Sequence, residues 1–203
     1  FTVSHTIGSD NNRILCVFFR TANGQQGNYK FNNIAADGIS VILDSGGAKY
    51  IFAWWLNPAI GTNNIVLTGF FAIEVIWLCA GSYFGADLTA TIPESSGNDN
   101  GTDDAFVLNN TTISNNAWTL GFYWVNSNSA PATINATAGT KRGTSGLSLN
   151  IQAALLDRGP ISPLGATTIE GNQNGEANDW VGITVSHAAI IDTIILARPI
   201  YFP

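Results

Sequence analysis

The chain has 203 residues, 45% hydrophobic and 11% aromatic, but only 11% charged, with a formal net charge of −6. Soluble domains usually carry about 25% charged residues; here 22 Asn and 21 Gly take much of that share. This balance excludes a disordered chain, a helical bundle and a nucleic-acid binder, which needs a basic face. It points to a β-rich domain outside the cell.

Taken in chain order, short β-branched or aromatic runs predict strands over 2–6, 13–20, 29–34, 40–43, 50–56, 64–68 and 72–80. Further runs follow over 105–108, 117–125, 132–136, 147–155, 180–186 and 189–197. Asn23-Gly24, Asp37-Gly38, Asn100-Gly101 and Asn174-Gly175 mark turns, because Asn, Asp and Gly accept left-handed backbone angles. The stretch 94–104, rich in Ser, Gly, Asn and Asp, reads as a long loop. Residues 147–158 are the best helix candidate, although their Ser-Leu-Asn-Ile-Gln opening alternates like a strand. The apolar run 65–80 is short for a membrane span and carries Glu74 near its middle, so two strands joined at Gly69 explain it better. A dozen strands at this spacing predict an all-β antiparallel sandwich of jelly-roll type, a single domain over 1–203.

Several strands are apolar on both faces. In 117–125, Trp118, Leu120, Phe122 and Trp124 share one face, and Thr119, Gly121 and Tyr123 the other. In 50–56, Tyr50, Phe52, Trp54 and Leu56 oppose Ile51, Ala53 and Trp55. One face of a sandwich strand normally meets water, so an apolar second face needs a cover: a long loop, a third layer or another subunit. The mostly apolar segment 188–203 reads as a last strand closing the sheet or as an arm onto a neighbour. Its interface candidates are Ile190, Ile191, Ile194, Ile195, Ile200, Tyr201 and Phe202. Cys16 and Cys79 sit in apolar runs, which suits two buried thiols; a disulfide between adjacent strands is the alternative. A chain beginning at Phe1 and lacking Met reads as a processed or trimmed product.

The order of motifs resembles a jelly-roll-like β-sandwich module of tailed-phage virion proteins and secreted bacterial proteins. Ser9-Asp-Asn-Asn-Arg-Ile-Leu-Cys-Val-Phe-Phe19 resembles its opening strand. The likeness continues through the aromatic strand, Asn57-Pro58 and the Gly61-Thr62 turn, then through 72–87, and ends in Trp180-Val-Gly-Ile-Thr-Val-Ser186. The resemblance implies an adhesive or structural part: a capsid-decoration protein, a tail-fibre domain or a carbohydrate-binding module.

Residues with catalytic chemistry are sparse. His5 and His187 are isolated in strand-like runs and read as satisfied or surface side chains, since a triad needs a nucleophile and an orienting acid beside its His. The elbow, zinc and phosphate-loop signatures are missing from the sequence. Lys141-Arg142 reads as a solvated loop. A glycosidase dyad would need Glu74 to find a partner such as Asp87 or Asp179. The loops 98–104 and 170–179 have the oxygen density for calcium, but the second has Val181 where a bidentate acid belongs. For sugar stacking, Trp55 and Tyr123 are the candidates. The expectation is a non-enzymatic structural component of an extracellular or virion assembly, acting as a homo-oligomer beside other assembly proteins, without cofactor, nucleic acid or membrane. A carbohydrate-binding module with a glycan partner is the alternative, and a glycoside hydrolase or lyase is third.

Overall fold

Residues Ala105–Thr112 alternate exposed and buried at every step, the pattern of a strand with one wet face. Ile14–Thr21 and Ala117–Asn126 are instead buried at almost every position. A computed structural model, which describes residues 1–21, 27–45, 47–69, 76–126, 134–145, 151–173 and 179–189, accounts for both. Sixteen strands form four antiparallel sheets, with no helix among the described residues. Sheet I runs β1 (Thr2–Ile7), β7 (Gly61–Thr68), β3 (Asn28–Phe31), β4 (Ile34–Ala35). Sheet II runs β5 (Gly38–Ser45), β6 (Ala48–Leu56), β2 (Ile14–Thr21), β8 (Ile76–Tyr83). Sheet III runs β13 (Thr140–Ser145), β14 (Ile151–Ile161), β11 (Ala117–Asn126), β16 (Asp179–His187), β9 (Ser95–Gly101). Sheet IV runs β10 (Ala105–Thr112), β15 (Gly165–Asn172), β12 (Asn135–Ala138).

The sheets stack in that order, with an apolar layer in each gap. Between I and II lie Ile7, Leu15, Phe19, Phe31, Trp55 and Leu67. Between II and III lie Phe18, Phe52, Tyr83, Trp118, Phe122 and Leu155. Between III and IV lie Phe106, Leu108, Tyr123, Leu156, Ile169 and Trp180. The central strands β2 and β11 of sheets II and III are therefore packed on both faces. The second apolar faces that called for a cover find it within the same chain, as a third and a fourth layer.

The four layers are one sandwich repeated. Strands 1-7-3 of sheet I correspond to 10-15-12 of sheet IV, and 5-6-2-8 of sheet II correspond to 13-14-11-16 of sheet III. Among the described residues only β4 and β9 lack a counterpart. The pairing register repeats as well: Ile14 faces Tyr83, and Trp118, 104 residues after Ile14, faces His187, 104 residues after Tyr83. The turn before each central strand repeats too, with Asn12 and Asn116 both at positive φ, 51° and 60°. Asn tolerates this left-handed geometry better than most side chains. The two sandwiches pack back to back through their larger sheets.

Some local expectations fail for a common reason. Residues 94–104 contain β9, whose Ser-Ser-Gly-Asn-Asp-Asn-Gly sequence disfavours a strand but is held by the ladder to β16. Lys141 and Arg142 belong to β13 rather than a loop. Residues 165–172 form β15, which the apolar pattern did not reveal. The described part of 147–158 is strand β14, as the strand reading of 147–155 expects, and not a helix. Cross-strand partners decide each of these cases, because β propensity depends strongly on context.

Candidate functional site

Ionisable groups converge at one place, between sheets II and III. The Asp157 carboxylate, 1% exposed, accepts from Arg142 Nε at 2.7 Å and from the Tyr83 hydroxyl at 3.1 Å. Burial, the larger influence, holds the Asp157 carboxyl above its usual range even though Arg142 pulls it down. The His187 ring lies 5.7 Å from that of Tyr83, and burial lowers its pKa to about 4. The cluster braces the seam between the two sandwiches, and Asp157 and His187 are closed to substrate. Arg142 is thus tied to an internal acid instead of serving a solvated basic loop.

A second feature lies at the other end of the same gap. The Arg20 guanidinium is 4.3 Å from the Trp124 ring centroid, 5.1 Å from Trp77 and 5.8 Å from Tyr50. Such a box suits a cation, and the protein fills it with its own.

The gap between sheets III and IV differs in character from end to end. On β10 the inward residues run Phe106, Leu108, Asn110, Thr112, turning from apolar to polar midway. Across sheet III, Ser95, Ser186, Thr119 and Arg158 form one row, each opposite the next in register. Asn110 and Thr167 are paired in sheet IV. The two sheets are stitched at this level: Ser95 Oγ donates to Asn110 Oδ1 at 2.9 Å, and Arg158 Nη1 donates to Thr168 O at 2.8 Å. Three buried polar atoms here, Thr119 Oγ1, Asn110 Nδ2 and Thr167 Oγ1, have no protein partner. Two open grooves, of 480 and 340 Å³, flank the layer, and Ala166, Thr167 and Thr168 line both.

Sheet I stops short of the edge of sheet II. Ile39 and Val41 of β5 pair with Ala53 and Ile51, whose side chains face sheet I. Among the described residues nothing in sheet I covers the two β5 residues, which form an exposed apolar strip at 47% and 36% exposure; Ile34 on β4 is 60% exposed.

The residues singled out in the sequence fall elsewhere. Trp55 and Tyr123 are buried, Trp55 between sheets I and II and Tyr123 between III and IV, so neither offers a ring face to a sugar. Trp55 donates from Nε1 to Ile34 O, and Tyr123 stacks on Phe106 at 3.9 Å. His5 and His187 are buried rather than at the surface, and neither His5 nitrogen has a hydrogen-bond partner. Cys16 and Cys79 are buried free thiols on neighbouring strands. In the 98–104 stretch the Asp104 carboxylate accepts from the Gln173 backbone at 2.9 Å, and Asp99 from Asn100 at 2.8 Å. Among the described residues no three His, Cys, Asp or Glu side chains gather as a metal site would require. Glu74, residues 174–178 and the interface candidates Ile190, Ile191, Ile194, Ile195, Ile200, Tyr201 and Phe202 lie outside the described residues. The polar row went unnoticed because each member is a common residue, although the midway change of polarity on β10 is visible at period two.

Comparison with family models, curated proteins and solved structures finds no match for this chain.

Proposed function

We propose that the chain is a non-enzymatic structural module of an extracellular or virion assembly, of the capsid-decoration or tail-fibre kind, that associates with copies of itself. The observation that carries this reading is the exposed apolar pair Ile39 and Val41 on the edge strand β5. An edge strand offers unpaired backbone groups to another chain. Antiparallel pairing of β5 with its copy gives a self-complementary, two-fold contact, and would bury both apolar strips at once. The low charge of the chain also suits it, since few ion pairs have to be desolvated on association. Light scattering at micromolar concentrations should show a dimer or larger species, and Ile39→Lys with Val41→Glu should return it to monomer. A wild-type monomer at every concentration overturns the reading.

A carbohydrate-binding module is the second reading. It is favoured by the half-polar gap of the second sandwich, with its unpartnered hydroxyl and amide groups.

A further inference from the structure

The two sandwiches differ at one matched level. In the first, Leu15 of β2 lies opposite both Trp55 and Ser82. In the second, its counterpart Thr119 lies opposite both Arg158 and Ser186. The indole of Trp55 fills the first sandwich, where it is 2% exposed. At the matching position Arg158 is exposed and reaches out to the backbone of Thr168. The level that an indole fills in one repeat therefore holds small polar side chains in the other.

We infer that the polar end of the gap between sheets III and IV, entered past Ala166, binds a neutral saccharide unit. Its chemistry is that of a polyol site. Asn110 and Thr167, which line the grooves, are each more than nine-tenths buried and, like Thr119 in the same layer, hold polar atoms with no protein partner. A buried polar group left unpaired is costly, so these atoms call for a hydrogen-bonding guest. Hydroxyls both donate and accept, and an amide nitrogen donates, which matches the vicinal hydroxyls of a sugar ring. Gly159, Pro160 and Ile161 line the larger groove, giving an apolar wall to the carbon–hydrogen face of a ring. No carboxylate lines either groove, which disfavours a cationic guest. The larger groove, at 480 Å³, falls within the range of about 300–1,000 Å³ usual for small-molecule sites. The inference rests on the second reading above and is independent of self-association through β5.

The test is a panel of neutral oligosaccharides in gluco, galacto, manno and N-acetylated forms, titrated against the full chain. Saturable binding to at least one is expected. Thr167→Val should weaken it by about tenfold or more, the loss of one well-made hydrogen bond to a buried group. Ala166→Trp should do the same by blocking both grooves, and because Ala166 is exposed this variant should keep the wild-type melting temperature. Binding that survives Ala166→Trp overturns the site while leaving a glycan-binding module standing. No saturable binding by the wild type up to about 10 mM overturns both, and leaves ordered water as the partner of the three atoms. Binding only of acidic sugars, tested with uronates, overturns the neutral assignment.

Discussion

Phe18 and Phe122 stack in parallel across the central gap, with ring centroids 6.1 Å apart and 3° between their planes. They are equivalent residues of the two repeats, Phe18 opposite Cys79 and Phe122 opposite Ile183 in matching register. An equivalent pair meeting itself is what a pseudo-twofold axis produces. The central gap thus resembles a homodimer core made permanent by joining the subunits. Unfolding should be a single transition, because the layer around Phe18 and Phe122 belongs to both sandwiches. Phe18→Ala or Phe122→Ala should cost about 3–5 kcal/mol, and the double variant should depart from additivity because the rings touch. Denaturant melts followed by fluorescence and by circular dichroism should coincide; two separated transitions would show the repeats to be independent.

Close approach between strands of sheet IV makes a second prediction at Gly171 of β15. A methyl group there would overlap the backbone oxygen of Asn135 and the ring of Phe106. Backbone cannot step aside as a flexible side chain can. Gly171→Ala should therefore destabilise by about 1–3 kcal/mol through overpacking, read as a lower denaturation midpoint. Gly47, at positive φ with open space around it, should lose stability to Ala only through backbone strain. Equal losses at the two positions would mean that β12 and the Phe106 ring yield to the added methyl.

How much of this was legible in the sequence depends on where the deciding contacts lie. The double-sided apolarity of 50–56 and 117–125 correctly says that both faces are covered. It could not say by what, because a second subunit and a second copy of the fold in the same chain bury the same residues. The repeat hides because sheet topology constrains the parity of side chains more than their identity: Leu15 and Thr119 occupy one position with opposite polarity. Strand β9 escaped for the converse reason, its Gly and Asn residues being chosen against turn rules while the ladder to β16 holds them extended. Trp55 and Tyr123 drew attention as aromatic residues on uncertain faces, and the outer sheets that bury them were not yet in view.

The two thiols offer a clean probe of global opening. Cys16 and Cys79 are buried free thiols, and burial drives both well above the ordinary thiol range. The thiolate is the reactive form, so a thiol reagent should modify neither in the native protein. Modification of both should follow the unfolding transition in denaturant. Prompt labelling of either thiol in native buffer would mean that the gap between sheets II and III opens locally.

Acid should loosen the fold through its two histidines. Burial lowers His5 and His187 from 6.5 to about 4 in the folded protein. A depressed folded pKa means that the neutral ring stabilises the native state above the unfolded value, and that this stability is lost as pH falls. The loss should begin below about pH 6.5 and grow down to about pH 4, at up to on the order of 3 kcal/mol for each ring, one unit being about 1.4 kcal/mol. Asp157 acts in the opposite sense: its raised folded pKa favours the native state at low pH and is a liability once pH rises through that value. Facing His187 across the central gap is Tyr83, which stays neutral; Asp157 with Arg142, on the same sheet as His187, offset each other once the carboxyl ionises. His5 has the ring of Phe31 at 6.5 Å and no charged partner among the described residues. Denaturant midpoints measured from pH 7.5 to 4 should fall steeply in the wild type. His5→Phe should flatten the profile by about one proton, and His187→Phe by another. A wild-type midpoint that stays level across this window would mean that both rings reach water in the folded protein.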